Sequence, residues 1–76
     1  MQAFVEFVIK ALVSDPDSVR VDPAERKGMT VYEISVAPGD AGKVIGRRGT
    51  TIQTIRSLVQ MGGAKMGRRC TVDLVE

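Results

Sequence analysis

The sequence predicts an α+β fold, a two-layer sandwich with three helices on one face of a three-stranded mixed sheet, in the order αββααβ. Three observations predict it. Apolar residues recur at helical spacing at the start of the chain and again after residue 50. They alternate at strand spacing over residues 31–37 and 70–74, and glycine or proline marks each change of period. At 76 residues the chain is expected to be one domain, 1–76, near the size where a single core just suffices.

The first helix is expected over residues 2 to about 14. Phe4, Val5, Val8, Ile9, Leu12 and Val13 cover one face, while Glu6 and Lys10 lie opposite and Phe7 falls at the margin, as core edge or dimer surface. Ser14-Asp15-Pro16-Asp17 stops it, because proline disfavours helix in the residue before it. Val19-Arg20-Val21-Asp22 then alternates as a strand, with Pro23 marking an edge or a bulge. Lys27-Gly28 supplies a turn, and Val31 to Ala37 forms the second strand, with Tyr32, Ile34 and Val36 on one face. Residues 18–37 are thus read as an antiparallel hairpin ended by Ala37-Pro38-Gly39.

Asp40 fits the N-cap of a short second helix through about Ile45. Thr50-Thr51-Ile52-Gln53 fits a capping box opening a third helix, with Ile52, Ile55, Leu58 and Val59 on its buried face. That helix is expected to end near Met61-Gly62-Gly63, followed by a Gly62–Gly67 loop containing Lys65. In the last strand Cys70, Val72 and Leu74 face inward, Cys70 as a small core residue. The helical connection between the second and third strands permits a parallel crossover.

Composition excludes several functions. No histidine is present, the lone Cys70 has no disulfide or metal partner, and no carboxylates cluster, so no catalytic residue, metal site, cofactor or small-molecule substrate is expected. Nothing approaches a membrane span, and Glu6 and Lys10 break any leader-like run, so a reduced cytoplasmic setting is expected. The net charge of +2 hides an asymmetry. Residues 1–42 carry four basic and seven acidic side chains, whereas residues 43–76 carry seven basic and two acidic. No acidic residue occurs from Lys43 to Arg69, which points to a polyanionic partner.

A Gly-x-x-Gly pattern alone is near chance in a chain with 8 glycines, and Gly39-Asp40-Ala41-Gly42 is a second match. Context separates Gly46-Arg47-Arg48-Gly49 from it: Val44 and Ile45 precede the turn, two arginines fill it, and a helix start follows. Glycines let the backbone approach a ligand, and the amides and dipole of a helix start favour an anion. Arg47 and Arg48 can reach successive phosphates, while Ile45, Ile52 and Val44 are expected to line an apolar shelf for bases. A nucleotide-binding P-loop fails at Gly39–Val44, because the second glycine comes too early and Val44 stands where a hydroxyl would hold Mg²⁺.

At these residues the chain resembles the KH domain family, whose signature is Ile-Gly-x-x-Gly between two helices, and the element order matches its type II form. The run Gly42-Lys43-Val44-Ile45-Gly46-Arg47-Arg48-Gly49, then Ile55-Arg56 and the Gly/Lys/Arg-rich approach to the last strand, resemble the small bacterial KH-domain RNA-binding protein A (KhpA) family. The resemblance implies a loop clamping about four nucleotides of single-stranded RNA. The residues it implicates are Lys43, Val44, Ile45, Gly46, Arg47, Arg48, Gly49, Thr50, Ile52 and Arg56, with Lys65 and Arg68 in a variable loop bounding the groove. It further implies an RNA chaperone or post-transcriptional regulator that pairs with itself, as a homodimer, or with a larger KH-containing protein.

Phe4, Phe7 and Tyr32 lie outside the basic half, so aromatic stacking platforms are missing and weak base preference is expected. Two alternatives remain open: a protein-interaction subunit that dimerises through Phe7 or the third helix, and a single-stranded DNA binder.

Overall fold

A computed structural model of the chain describes residues 1–75. Helix α1 (Gln2–Leu12) is followed by the hairpin β1 (Arg20–Arg26) and β2 (Met29–Ser35). Helices α2 (Ala41–Ile45) and α3 (Thr50–Lys65) precede β3 (Cys70–Leu74). The order αββααβ is the expected one. The sheet runs β1-β2-β3, with β1 antiparallel and β3 parallel to β2. The crossover through α2 and α3 supplies the parallel connection.

Local chemistry accounts for most boundaries. Helix α1 ends at Leu12, two residues earlier than expected, because Val13 is already extended ahead of Pro16. Strand β1 runs on to Arg26 through Pro23, which pairs with Tyr32; as an edge strand it tolerates a residue lacking an N–H. Lys27 (φ 54°) and Gly28 (φ 80°) form a two-residue turn with both central residues left-handed, matching the twist of the hairpin. Val36 lies beyond β2 and is half-buried.

The core joins Val5 and Ile9 of α1 to Val21, Tyr32, Ile34 and Val72 of the sheet, and to Val44, Ile52, Ile55 and Val59 of the other helices. Cys70 is buried, as expected. Three residues assigned to buried stripes, Phe4, Leu12 and Leu58, instead remain exposed, as do Phe7 and Met61. Helical periodicity identifies the apolar face of a helix, whereas the span of sheet beneath it decides how much of that face is covered.

The third helix continues through Gly62 and Gly63 to Lys65, so these glycines do not open a loop. Both serve close packing. A Cβ on Gly63 would lie 2.9 Å from the Cys70 Sγ and 3.1 Å from the Arg68 carbonyl oxygen, and one on Gly62 would lie 2.8 Å from the Met1 Cε. The helix stops at Gly67 (φ 71°), where the Gly67 N–H donates to the Ala64 carbonyl and the Arg68 N–H to the Gly63 carbonyl. Those paired bonds form a Schellman stop.

The strand faces differ in charge. Register places Asp22 beside Glu33 and Glu33 beside Asp73, an acidic row crossing the sheet on the side away from the core. Arg26, 2.6 Å from Glu33, offsets part of it.

Candidate nucleic-acid interface

The Gly46–Gly49 turn joins α2 to α3 through an unusual backbone. Gly46 has φ 76° and ψ 177°, a region open in practice to glycine alone. A Cβ there would also press on Thr51, 2.9 Å from its backbone nitrogen. Gly49 is left-handed (φ 75°, ψ 11°) with open space where a Cβ would project. Between them Arg48 is itself left-handed, at φ 56° and ψ 27°. The Gly46 N–H donates to the Gly42 carbonyl and the Gly49 N–H to the Gly46 carbonyl, closing the turn on α2. Both arginine side chains are exposed.

The expected capping box is absent. Gly49 occupies the N-cap position of α3, and no side chain caps it. Thr50 is already helical, and its hydroxyl donates to the Arg47 carbonyl at 2.8 Å. A left-handed glycine leads directly into the helix, leaving no extended residue to carry a capping hydroxyl. The start of α3 therefore has amides without a side-chain acceptor, beside two cations.

The apolar shelf is smaller than expected. Ile45 is 41% exposed, but Val44 is fully buried and Ile52 is also in the core. Val44 and Ile52 thus support Ile45 and the turn from beneath and cannot present side chains to a ligand. Beside α2, the ends of the parallel strands leave a recess of about 170 Å³ lined by Val36, Ala37, Pro38, Ala41, Leu74 and Val75. Its walls come from two separated segments, 36–41 and 74–75, so no local sequence signal marks it.

Lys43 is engaged within the protein. Its ammonium lies 3.4 Å from the Asp40 carboxylate and donates to the Ser14 hydroxyl. Asp40, only 3% exposed, does not cap α2 with its side chain; it accepts the Ser14 and Asp15 amides at 3.1 and 3.0 Å. The amide of Ser14 above all, then that of Asp15 and Lys43, hold its carboxyl below the usual value despite opposing burial.

Arg56 is half-buried on α3, its Nε donating to the Val72 carbonyl on β3 at 3.4 Å. Lys65 and Arg68 do not join the turn. They sit at the other end of α3, about 22 Å from Thr50 at 1.5 Å per residue. The neighbouring Arg69 ends the same unbroken basic run and is likewise exposed. Among the described residues the ion pairs are Lys10–Glu6, Arg26–Glu33 and Lys43–Asp40, so Arg47, Arg48, Arg56, Lys65, Arg68 and Arg69 have no acidic partner. Also among the described residues, no group of three metal-ligating side chains gathers, and no helix is long and apolar enough to cross a membrane.

A family profile described as KhpA/KhpB, KH domain, matches residues 2–74. Over the full length of both chains, the sequence is 40% identical to RNA-binding protein KhpA of Halalkalibacterium halodurans. It is 39% identical over 75 residues to the protein of that name from Caldanaerobacter subterraneus subsp. tengcongensis, covering 99% of this chain and 100% of the relative. Against that of Aquifex aeolicus the identity is 34% over 76 residues, covering 100% and 96%.

Proposed function

The chain belongs to the KhpA/KhpB KH-domain family, and on that premise we propose that it is a non-catalytic protein binding single-stranded RNA, with the Gly46–Gly49 turn clamping about four nucleotides of backbone. The observation that carries this reading is the turn itself: two positive-φ glycines, and two arginines with no acidic partner among the described residues, at a start of α3 that no side chain caps. Phosphates bind the Arg47 and Arg48 side chains, favoured by the positive end of the α3 dipole. Ile45 carries a base, and the recess beside α2 takes a neighbouring one. Arg56 lies within reach along α3, while Lys43 keeps Asp40 and α2 in place. The cellular role is that of an RNA chaperone or post-transcriptional regulator in a reduced cytoplasm, to which an unpaired, buried Cys70 is suited.

The test is binding of short single-stranded RNA by the R47D/R48D variant. Both side chains are exposed, so the variant folds, and binding is expected to vanish. Binding as strong as that of the wild type would remove the clamp. Competition between RNA and DNA of one sequence distinguishes the two single strands.

A second reading is favoured by Phe7, 73% exposed, with Phe4, Leu58 and Met61 also uncovered. Leu58 also lines a trough of about 300 Å³ between α1 and α3, with Val8 and Leu12 on its other wall. On this reading the chain pairs with itself or with a larger KH-containing protein through that face, and two weak clamps gain avidity.

A further inference from the structure

A second cationic surface lies at the far end of α3, and we propose that it binds a further stretch of the same RNA strand, extending the footprint well beyond the four-nucleotide clamp. This rests on the RNA-binding reading above. After the stop at Gly67 the chain carries Arg68 and Arg69, both exposed, into β3. The Thr30 N–H donates to the Arg69 carbonyl at 2.8 Å, which ties this segment to the start of β2 and brings it beside the hairpin tip carrying Lys27. Lys65, at the end of α3, completes the group. None of the four cations has an acidic partner among the described residues.

A helix C-terminus attracts positive charge, which would account for Lys65 without any ligand. The same attraction reaches Arg68 in the helix stop, but it fades within a turn and does not explain Lys27 on the hairpin tip or Arg69 at the start of β3. The surface also has a shape suited to a nucleotide. Met29, Gln60, Ala64, Arg68, Arg69 and Cys70 line a hollow of about 270 Å³, to which Met29, Ala64 and Cys70 bring apolar surface and the two arginines positive charge. Guanidinium groups stack on bases as well as pair with phosphates. The two surfaces stand about 22 Å apart along α3, roughly seven phosphates at a stacked spacing of 3.4 Å, with Arg56 between them.

The test measures binding of labelled oligouridine of four and of sixteen nucleotides by the wild type, R68E/R69E and R47D/R48D, counting chains per RNA by native mass spectrometry. One wild-type chain is expected to bind the longer RNA more tightly than the shorter. R68E/R69E should weaken binding of the longer RNA by about tenfold through lost tethering while leaving the four-nucleotide RNA unchanged. The proposal is overturned if R68E/R69E binds both RNAs as the wild type does, if it weakens both equally, or if the gain with length appears only with two chains per RNA. Polyglutamate binding this surface more tightly than the longer RNA would indicate an acidic protein partner and overturn it as well. Wild-type binding of the short RNA by R47D/R48D would instead remove the clamp, a failure separable from this one.

Discussion

Asp40 and Ser14, 26 residues apart, are joined by a hydrogen bond from the Ser14 amide to the Asp40 carboxylate at 3.1 Å. With the Asp15 amide and Lys43, this bond pins the connector after α1 to the start of α2, whose far end opens the arginine turn. Because the folded carboxyl titrates below its ordinary value of 3.8, its stabilising contribution is complete above that value and is lost as pH falls through the lowered one. Thermal melts from pH 6 to pH 2 should show the wild type losing stability in that acid window. D40N should melt lower at neutral pH and lose part of the acid-dependent change; an unaltered pH profile would remove Asp40 from this role.

The two glycines of the turn should respond differently to alanine. At Gly46 both φ and the Thr51 backbone oppose a Cβ, so G46A should cost about 3 kcal/mol or more. At Gly49 only the left-handed φ opposes it, so G49A should cost about 1 kcal/mol and G49N less. Urea denaturation ranks the three, and equal losses at both positions would contradict the turn geometry described.

The third helix was only partly legible in the sequence, and the reason is physical. Gly62-Gly63 is a local signal for a helix end, but the decisive contact, Gly63 against Cys70, is non-local. The alternation at Tyr32 and Ile34 and again at Cys70 and Val72 revealed the strands because each spans half-buried sheet. Periodicity could likewise mark Phe4 and Leu58 as apolar-face residues but could not say whether anything covers them. At the turn, residue types exposed the Gly-Arg-Arg-Gly chemistry, yet the burial of Val44 and Ile52 and the internal engagement of Lys43 depended on how α2 and α3 pack.

A Cβ in the Gly63 contact should be costly. Because the Arg68 carbonyl and Cys70 crowd the site, G63V should overpack the junction of α3 and β3 and lose about 2 kcal/mol or more. Denaturant melts provide the check, with S57A on the exposed face as a control expected to change stability by less than about 0.5 kcal/mol.

Salt should report how many phosphates the turn neutralises. For single strands the slope of log K against log salt is about −0.7 per phosphate. Replacing Arg47 and Arg48 by glutamine should therefore flatten the slope by about 1.4 for a short RNA. Titrations across a salt series measure this, and an unchanged slope would mean that neither arginine meets a phosphate.

The exposed α1–α3 face predicts concentration-dependent self-association. Sedimentation should show the wild type pairing and F7E/L58E remaining single without loss of fold, since both side chains are exposed. A variant that pairs like the wild type would place the contact elsewhere.

The acidic row of Asp22, Glu33 and Asp73 gives the domain a polarity across its layers. A polyanion approaching from that side is repelled and one approaching the arginine turn is attracted, so the protein rotates into alignment before contact. The two layers of the domain thus meet a polyanion on unequal terms, with arginines at the turn between α2 and α3 and three carboxylates in a row on the outer face of the sheet.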